Sequence, residues 1–210
     1  MSEVNQNNTV FTREDIDALE KRHRATLINS LSGYKSANLL GTANAQGQTN
    51  LALMSSVFHI GANPPLVGLL LRPHSVPRHS LENLMDLGEY TLNVVTQQIY
   101  KQAHQTSARY PREQSEFAAV GLDEEYSPLL KAPYVAQSSI KTGLSLVETQ
   151  TLALNDTVLV IGEIIELRIE EGMLSDDGQL NHNTAQTVAI TGLDEYHMAS
   201  SIERLDYPKA

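Results

Sequence analysis

Apolar positions recur near helical spacing at Ile16, Leu19, Leu27, Ile28 and Leu31, and this period predicts one helix ending before Gly33. Thr12, three residues ahead of Asp15, has the form of a capping box at its start. Residues 1–12 are polar and read as a flexible N-terminal arm. From residue 37 the pattern changes to short extended segments. Residues 37–43 and 48–55 read as two strands, and the Asn44-Ala45-Gln46-Gly47 turn between them makes a hairpin. Residues 66–71 are almost continuously apolar, as in a strand buried on both faces or in a small barrel, and Asn63-Pro64-Pro65 marks its start.

Ser80 opens a short helix over 81–87, and Gly88 closes it, since glycine takes the left-handed conformation a helix end favours. Residues 90–96 alternate as a strand. Residues 97–121 hold two polar helical pieces around Pro111 and read as an excursion outside the barrel. Two long β-patterned segments follow, 139–154 and 157–169, joined by Asn155-Asp156, whose side chains favour a turn. Asp176-Asp177-Gly178 marks another turn. One leading helix, at least six strands and small helices between them predict a mainly β fold with inserted helices, a decorated barrel. A βαβα rhythm is absent, which argues against a doubly wound dinucleotide fold.

The length of 210 residues fits one domain spanning the chain, since domains cluster near roughly 100–200 residues. Hydrophobic residues at 41% and charged residues at 19% place the chain among ordered globular proteins. Fifteen Lys and Arg against 25 Asp and Glu give a formal charge of -10, which repels phosphate backbones and argues against nucleic acid as a partner. With no cysteine there is no disulfide, thiolate cluster or thiol nucleophile. No secretory signal is readable, and no apolar stretch approaches the roughly 20 residues of a membrane span, so the expectation is a cytoplasmic protein away from membranes.

Glycine-rich dinucleotide, P-loop, H-E-x-x-H and G-x-S-x-G patterns are all missing, and the seven histidines show no metal spacing on one helix, so no metal is expected. The informative segment is Arg72-Pro73-His74-Ser75-Val76-Pro77-Arg78-His79-Ser80, between a buried strand and a helix start. Free N–H groups and the positive end of the helix dipole, joined to two Arg and two His, make an anion site suited to phosphate. A solvated basic loop with Ser80 as a simple cap is the other reading of the same residues. The second candidate is Asn50-Leu51-Ala52-Leu53-Met54-Ser55-Ser56, an apolar strand ending in two hydroxyls. Such an end can hydrogen-bond the edge of a flat heteroaromatic ring and cover its face, or it can be a strand capped by serine.

Gly41-Thr42 with Gly47, Asn50-Leu51-Ala52 with Ser55-Ser56, Asn63-Pro64-Pro65-Leu66-Val67, Ser80-Leu81-Glu82-Asn83-Leu84, Gly88-Glu89-Tyr90 through Asn93-Val94, Ser115-Glu116-Phe117 and Gly121-Leu122 follow in one order. In this ordered set, over residues 25–197, the chain resembles the flavin reductase-like FMN-binding family, which includes flavoredoxin-type proteins. The resemblance implies an FMN-binding split β-barrel, a homodimer with FMN near the subunit interface, and hydride transfer from NADH or NADPH to the flavin. It implies that Met54, Ser55, Ser56 and Val57 line the ring and ribityl portion. Arg72, His74, Arg78, His79, Ser80 and Asn83 would line the phosphate and chain.

The chain departs from the family pattern twice. His79-Ser80 stands where the family often has Asp-Thr, keeping the hydroxyl and replacing the acid. The segment from Ile190 to Tyr196 lacks the Arg and second Gly of the family's Arg-x-Gly-Gly-x-x-Tyr, which removes a usual candidate for nicotinamide contact. No catalytic side chain is assigned, because a flavin carries the chemistry and the protein orients and shields it. His104 and Tyr196 read as a surface histidine and a packed aromatic, with a place beside the flavin as the alternative. An FMN electron carrier that does not use pyridine nucleotide, and a non-redox module for another phosphate ligand, stay open beside the reductase.

Overall fold

Thr12 begins the helical segment as its spacing predicts. In the computed structural model, which describes residues 8–208, its hydroxyl accepts from Asp15 N at 3.2 Å while Thr12 N donates to the Asp15 carboxylate at 2.8 Å. Residues 1–7 of the expected arm lie outside the described residues. The single leading helix is instead two, α1 (Arg13–Ala18) and α2 (Lys21–Ser30). The Glu20 side chain accepts from Arg22 N and His23 N, so it caps a new helix where the apolar period alone predicted continuation.

Strands and short helices then follow: β1 (Lys35–Ser36), β2 (Asn38–Ala43), β3 (Thr49–Met54), β4 (Val57–Ala62), β5 (Pro65–Leu71), α3 (His79–Leu87) and β6 (Glu89–Val94). Next come α4 (Tyr100–Gln105), α5 (Glu116–Val120), β7 (Glu124–Ser127), β8 (Leu130–Val135), β9 (Ile140–Thr151), β10 (Val158–Ile169), β11 (Val188–Thr191) and β12 (Glu195–Met198). The fold is mainly β with helices inserted, as predicted. Seven strands pair antiparallel in the order β3-β2-β6-β9-β10-β5-β4, β1-β11-β12 form a small second sheet, and β7-β8 a hairpin. Among the described residues no helix is long and apolar enough to cross a membrane.

Two hydrophobic clusters lie on opposite sides of β2. Leu39 joins Leu51, Val95, Phe117, Val135 and Ile190, while its neighbour Leu40 joins Leu69, Leu84, Tyr90, Leu144 and Val160. Both faces of β2 are therefore buried, as the alternation of side chains along a strand requires. The segment expected to lie outside the barrel is part of the first cluster: α4 supplies Ala103, α5 supplies Phe117, and Ile99 precedes them. Asn93 ties these layers, donating to Leu39 O at 3.1 Å and accepting from Val135 N at 2.9 Å.

Glycines allow the closest approaches. A Cβ on Gly162 would stand 2.2 Å from Tyr90 Oη, a buried hydroxyl with no hydrogen-bond partner. On the outer side of β4, β5 and β10 the surface stays apolar, with Phe58, Ile60, Leu70 and Ile165 exposed. Phe58 pairs with Gly68 and its ring lies over the bare backbone there.

Candidate functional site

The end of β3, the end of β5 and the start of α3 converge on one side of the large sheet and enclose a cleft of about 930 Å³. Met54, Ser55 and Ser56 line it from the strand end, and Arg72, Arg78, His79 and Ser80 from the basic loop and helix start. Three other candidates do not line it. Val57 packs against the second hydrophobic cluster. His74 turns to Glu82, its Nε2 lying 2.8 Å from the carboxylate. Asn83 is buried behind the cleft, donating to Thr42 Oγ1 at 3.3 Å and accepting from Arg112 Nη1 at 3.1 Å.

Helix α3 starts at His79, two residues earlier than the sequence pattern indicated, with Arg78 in place of Ser80 at the N-cap position. Ser80 therefore sits inside the first turn and cannot cap it; its hydroxyl pairs with the Asn50 side chain at 2.8 Å. No side chain caps α3. Its first N–H groups and the positive end of its dipole open on the cleft beside Arg72 and Arg78. Arg78 Nε donates to Pro73 O at 3.3 Å, and neither Arg72 nor Arg78 has a carboxylate partner among the described residues.

The connection between α4 and α5 closes the cleft from above and brings residues the sequence reading missed. Arg109, Tyr110 and Arg112 line it, and Arg112 forms an ion pair with Glu82. Glu116 lies at the floor, 6% exposed, where its carboxylate accepts from Leu51 N at 3.0 Å. Burial raises the Glu116 carboxyl above the usual range, opposed by the Leu51 hydrogen bond and the charge of His79. With the Asn50 amide oxygen toward Leu51 N and Ser80, its nitrogen donates to both Glu116 oxygens at 3.3 Å, which joins the floor to the helix start. The one signal available beforehand was Ser115-Glu116-Phe117, an acid beside a buried aromatic in a polar stretch.

At the other end, Lys35, Ile190, Leu193 and His104 line the wall. His104 and Tyr196 are neither isolated nor separate: His104 Nδ1 lies 3.0 Å from the Tyr196 hydroxyl, and the rings meet edge to face at 5.7 Å. Burial pushes the Tyr196 phenol up to about 12, with Asp194 adding to the shift. His197 lies outside the cleft lining, hydrogen-bonded to Thr191 at 2.8 Å. Glu116 is the one carboxylate in the cleft lining, against Lys35, Arg72, Arg78, Arg109 and Arg112. In a chain of formal charge -10 this is a concentrated cationic site.

Comparison with solved structures places this architecture. A split barrel protein from Shewanella frigidimarina, described as a flavin reductase, is 51% identical and superposes with a TM-score of 0.93 over 96% of this chain and 100% of that one. Nitrilotriacetate monooxygenase component B from Bacillus cereus shares the fold at 17% identity, with a TM-score of 0.84 over 94% of this chain and 100% of that one. Flavoredoxin of Desulfovibrio vulgaris does so at 19% identity, with a TM-score of 0.74 over 83% of this chain and 92% of that one. Residues 31–190 match the flavin reductase like domain, which takes in both hydrophobic clusters and nearly all of the cleft lining, and the chain accordingly belongs to that family.

Proposed function

We propose that the cleft binds FMN and that the protein transfers hydride from NADH or NADPH to it, as a cytoplasmic homodimer. The observation that carries this reading is the uncapped start of α3, which opens beside Arg72 and Arg78 into the same cleft as the apolar end of β3. Free backbone N–H groups with unpaired guanidinium groups fit a phosphate. Met54, Ser55 and Ser56 fit the ring: two hydroxyls and backbone groups for its polar edge, apolar side chains for its face. The donor set thus matches a ligand with one anionic end and one flat end.

FMN, when bound, supplies the redox centre, taking up hydride on its ring. The chain's own residues bind and orient. Arg72, Arg78 and the α3 start hold the anionic end, while Ser80 is fixed by Asn50 and Glu116 beneath it. Leu70 and Leu71 line the cleft from β5 and restrict water on that side. Leu70 also belongs to the exposed apolar surface with Phe58, Ile60 and Ile165, so the cleft runs onto that surface. Contiguous exposed apolar surface marks an interaction site, and a second copy set there would complete the wall.

The test is an absorbance spectrum of the purified protein, followed by anaerobic addition of NADH and of NADPH. A yellow protein bleached by either nucleotide is the expected result. Bleaching by dithionite alone would make the protein an electron carrier. A colourless protein indifferent to added FMN would leave a non-redox phosphate-binding module.

A further inference from the structure

The connection from α4 to α5 is tied to the molecule at its two ends and at one point between them. β3 is an edge strand of the seven-stranded sheet, so the N–H groups along its free side need partners from outside the sheet. The Thr106 hydroxyl accepts from Leu53 N at 3.0 Å, and the Glu116 carboxylate accepts from Leu51 N at 3.0 Å. Both of these feet are buried, whereas no residue from 107 to 115 is. Six consecutive residues of that span, 107–112, line the cleft.

Between the feet the backbone hydrogen bonds are local: Ser107 N donates to His104 O, Ala108 N to Gln105 O and Gln114 N to Pro111 O. Among the described residues, Arg112 alone of this span bonds to α3, pairing with the Glu82 carboxylate and donating from Nη1 to Asn83 Oδ1 at 3.1 Å. Its socket is already built. The other Glu82 oxygen accepts from Arg78 N at 3.2 Å and lies 2.8 Å from His74 Nε2, which fixes the carboxylate and ties it to the basic loop. The Arg112 and Glu82 side chains are 31% and 34% exposed, so water can take over from their ion pair at little cost. Asn83 is 2% exposed, so opening strands a buried acceptor and the closed position is the resting one.

We propose that residues 107–115 are a strap across the cleft, hinged at Thr106 and Glu116 and clasped to α3 by Arg112, and that unclasping sets the rate at which flavin enters and leaves. This inference rests on the flavin reading of the cleft. The clasp is made between protein groups and needs no ligand, so it closes the cleft both before and after binding. Entry and exit are then multiplied by the same open fraction, which cancels from the dissociation constant. Arg112 in this role differs from Arg72 and Arg78, whose free guanidinium groups face the cleft and act on affinity. The strength of one ion pair thereby decides whether a flavin is kept through many turnovers or exchanged between them.

The experiment measures association and dissociation rates of FMN and of riboflavin by stopped-flow fluorescence. Arg112→Ala should raise both rates, for both flavins, by roughly tenfold, the worth of a partly exposed ion pair with one hydrogen bond, and leave the riboflavin dissociation constant as it was. Arg112→Lys, which keeps the charge, should recover part of the loss. Glu82→Gln should act in the same direction, and adding it to Arg112→Ala should bring little further change, since both break one contact. Riboflavin carries no charge, so added salt should speed its exchange in the wild type, by screening the clasp, and not in Arg112→Ala. Unchanged riboflavin rates would overturn the strap. An effect on FMN alone would make Arg112 a phosphate ligand, and faster dissociation without faster association would make it a direct flavin contact; either outcome also overturns the strap. Trypsin cleavage after Arg109 in flavin-free protein reads the opening without any ligand and should be faster in Arg112→Ala and in Glu82→Gln. If neither flavin binds, faster cleavage in these variants would remove the FMN reading and leave the strap standing, whereas wild-type cleavage rates would overturn the strap as well.

Discussion

Removing the cations at the start of α3 should change the preference for FMN over riboflavin without changing the affinity for riboflavin. Arg72 and Arg78 line the cleft with no carboxylate to neutralise them, whereas Arg112 is held by Glu82 and Asn83. A hydrogen bond to a charged group is worth about 1.5–3 kcal/mol, or roughly 10- to 150-fold in affinity. Arg78 is half-buried and Arg72 exposed, so Arg78→Ala belongs near the top of that range and Arg72→Ala, screened by solvent, near the bottom. The helix start contributes a further 0.3–1 kcal/mol or so that both variants keep, so FMN should still bind better than riboflavin. Arg112→Ala should have a smaller effect, because it removes a cation already paired. His74→Ala is the control, since His74 faces Glu82 and not the cleft. Flavin fluorescence quenching gives both dissociation constants in one assay. An unchanged FMN-to-riboflavin ratio in both Arg72→Ala and Arg78→Ala would reduce this loop to a solvated turn.

Three further outcomes follow from the packing. Gly162→Ala places a methyl 2.2 Å from Tyr90 Oη and should cost about 1–3 kcal/mol in urea melts; Tyr90→Phe, which deletes an unpartnered buried hydroxyl, should stabilise by about 1 kcal/mol and lessen that cost. The Glu116 carboxyl is raised by burial, so its contribution to stability is present at low pH and is lost as pH rises from its unfolded value, 4.5, through its raised folded value. Urea melts across that window should show Glu116→Gln, which keeps an acceptor for Leu51 N, losing less stability than the wild type, and parallel curves would refute the assignment. Sedimentation at micromolar concentration should report about twice the 23.1 kDa chain mass, and Phe58→Asp should shift it toward the monomer; a wild-type monomer would remove the shared wall.

The long strands, the Gly47 hairpin and the Asn155-Asp156 turn were legible because local chemistry fixes them. Asn155 Oδ1 accepts from Thr157 N at 3.2 Å, and Gly47 has a φ of +79°, a conformation that side chains disfavour. Strand β4 was not legible. Phe58 and Ile60 are apolar but exposed, so the polar and apolar alternation that marks a half-buried strand is missing. β7 ends just before Pro128 and β8 contains Pro133, prolines that read as interruptions until the pairing across the hairpin is seen. The site divides along the same line. The basic loop and the β3 end are each a single run of sequence, whereas Arg112, Glu116, Lys35 and the His104–Tyr196 pair are brought to the site singly, by tertiary packing. His104 and Tyr196 are 92 residues apart, beyond the reach of any local pattern.

The central strand has a consequence for how the molecule comes apart. Proteins with two separate oily centres can open in stages, one giving way while the other holds, and each stage shows its own hydrogen-exchange rate. Here β2 is the wall between the two clusters, with consecutive leucines facing opposite ways. A slip of one residue would exchange Leu39 for Leu40 across the wall and mismatch both sides at once. Neither half has a wall of its own to keep, so loss of one exposes the back of the other, and the amides of β2 should be among the last to exchange.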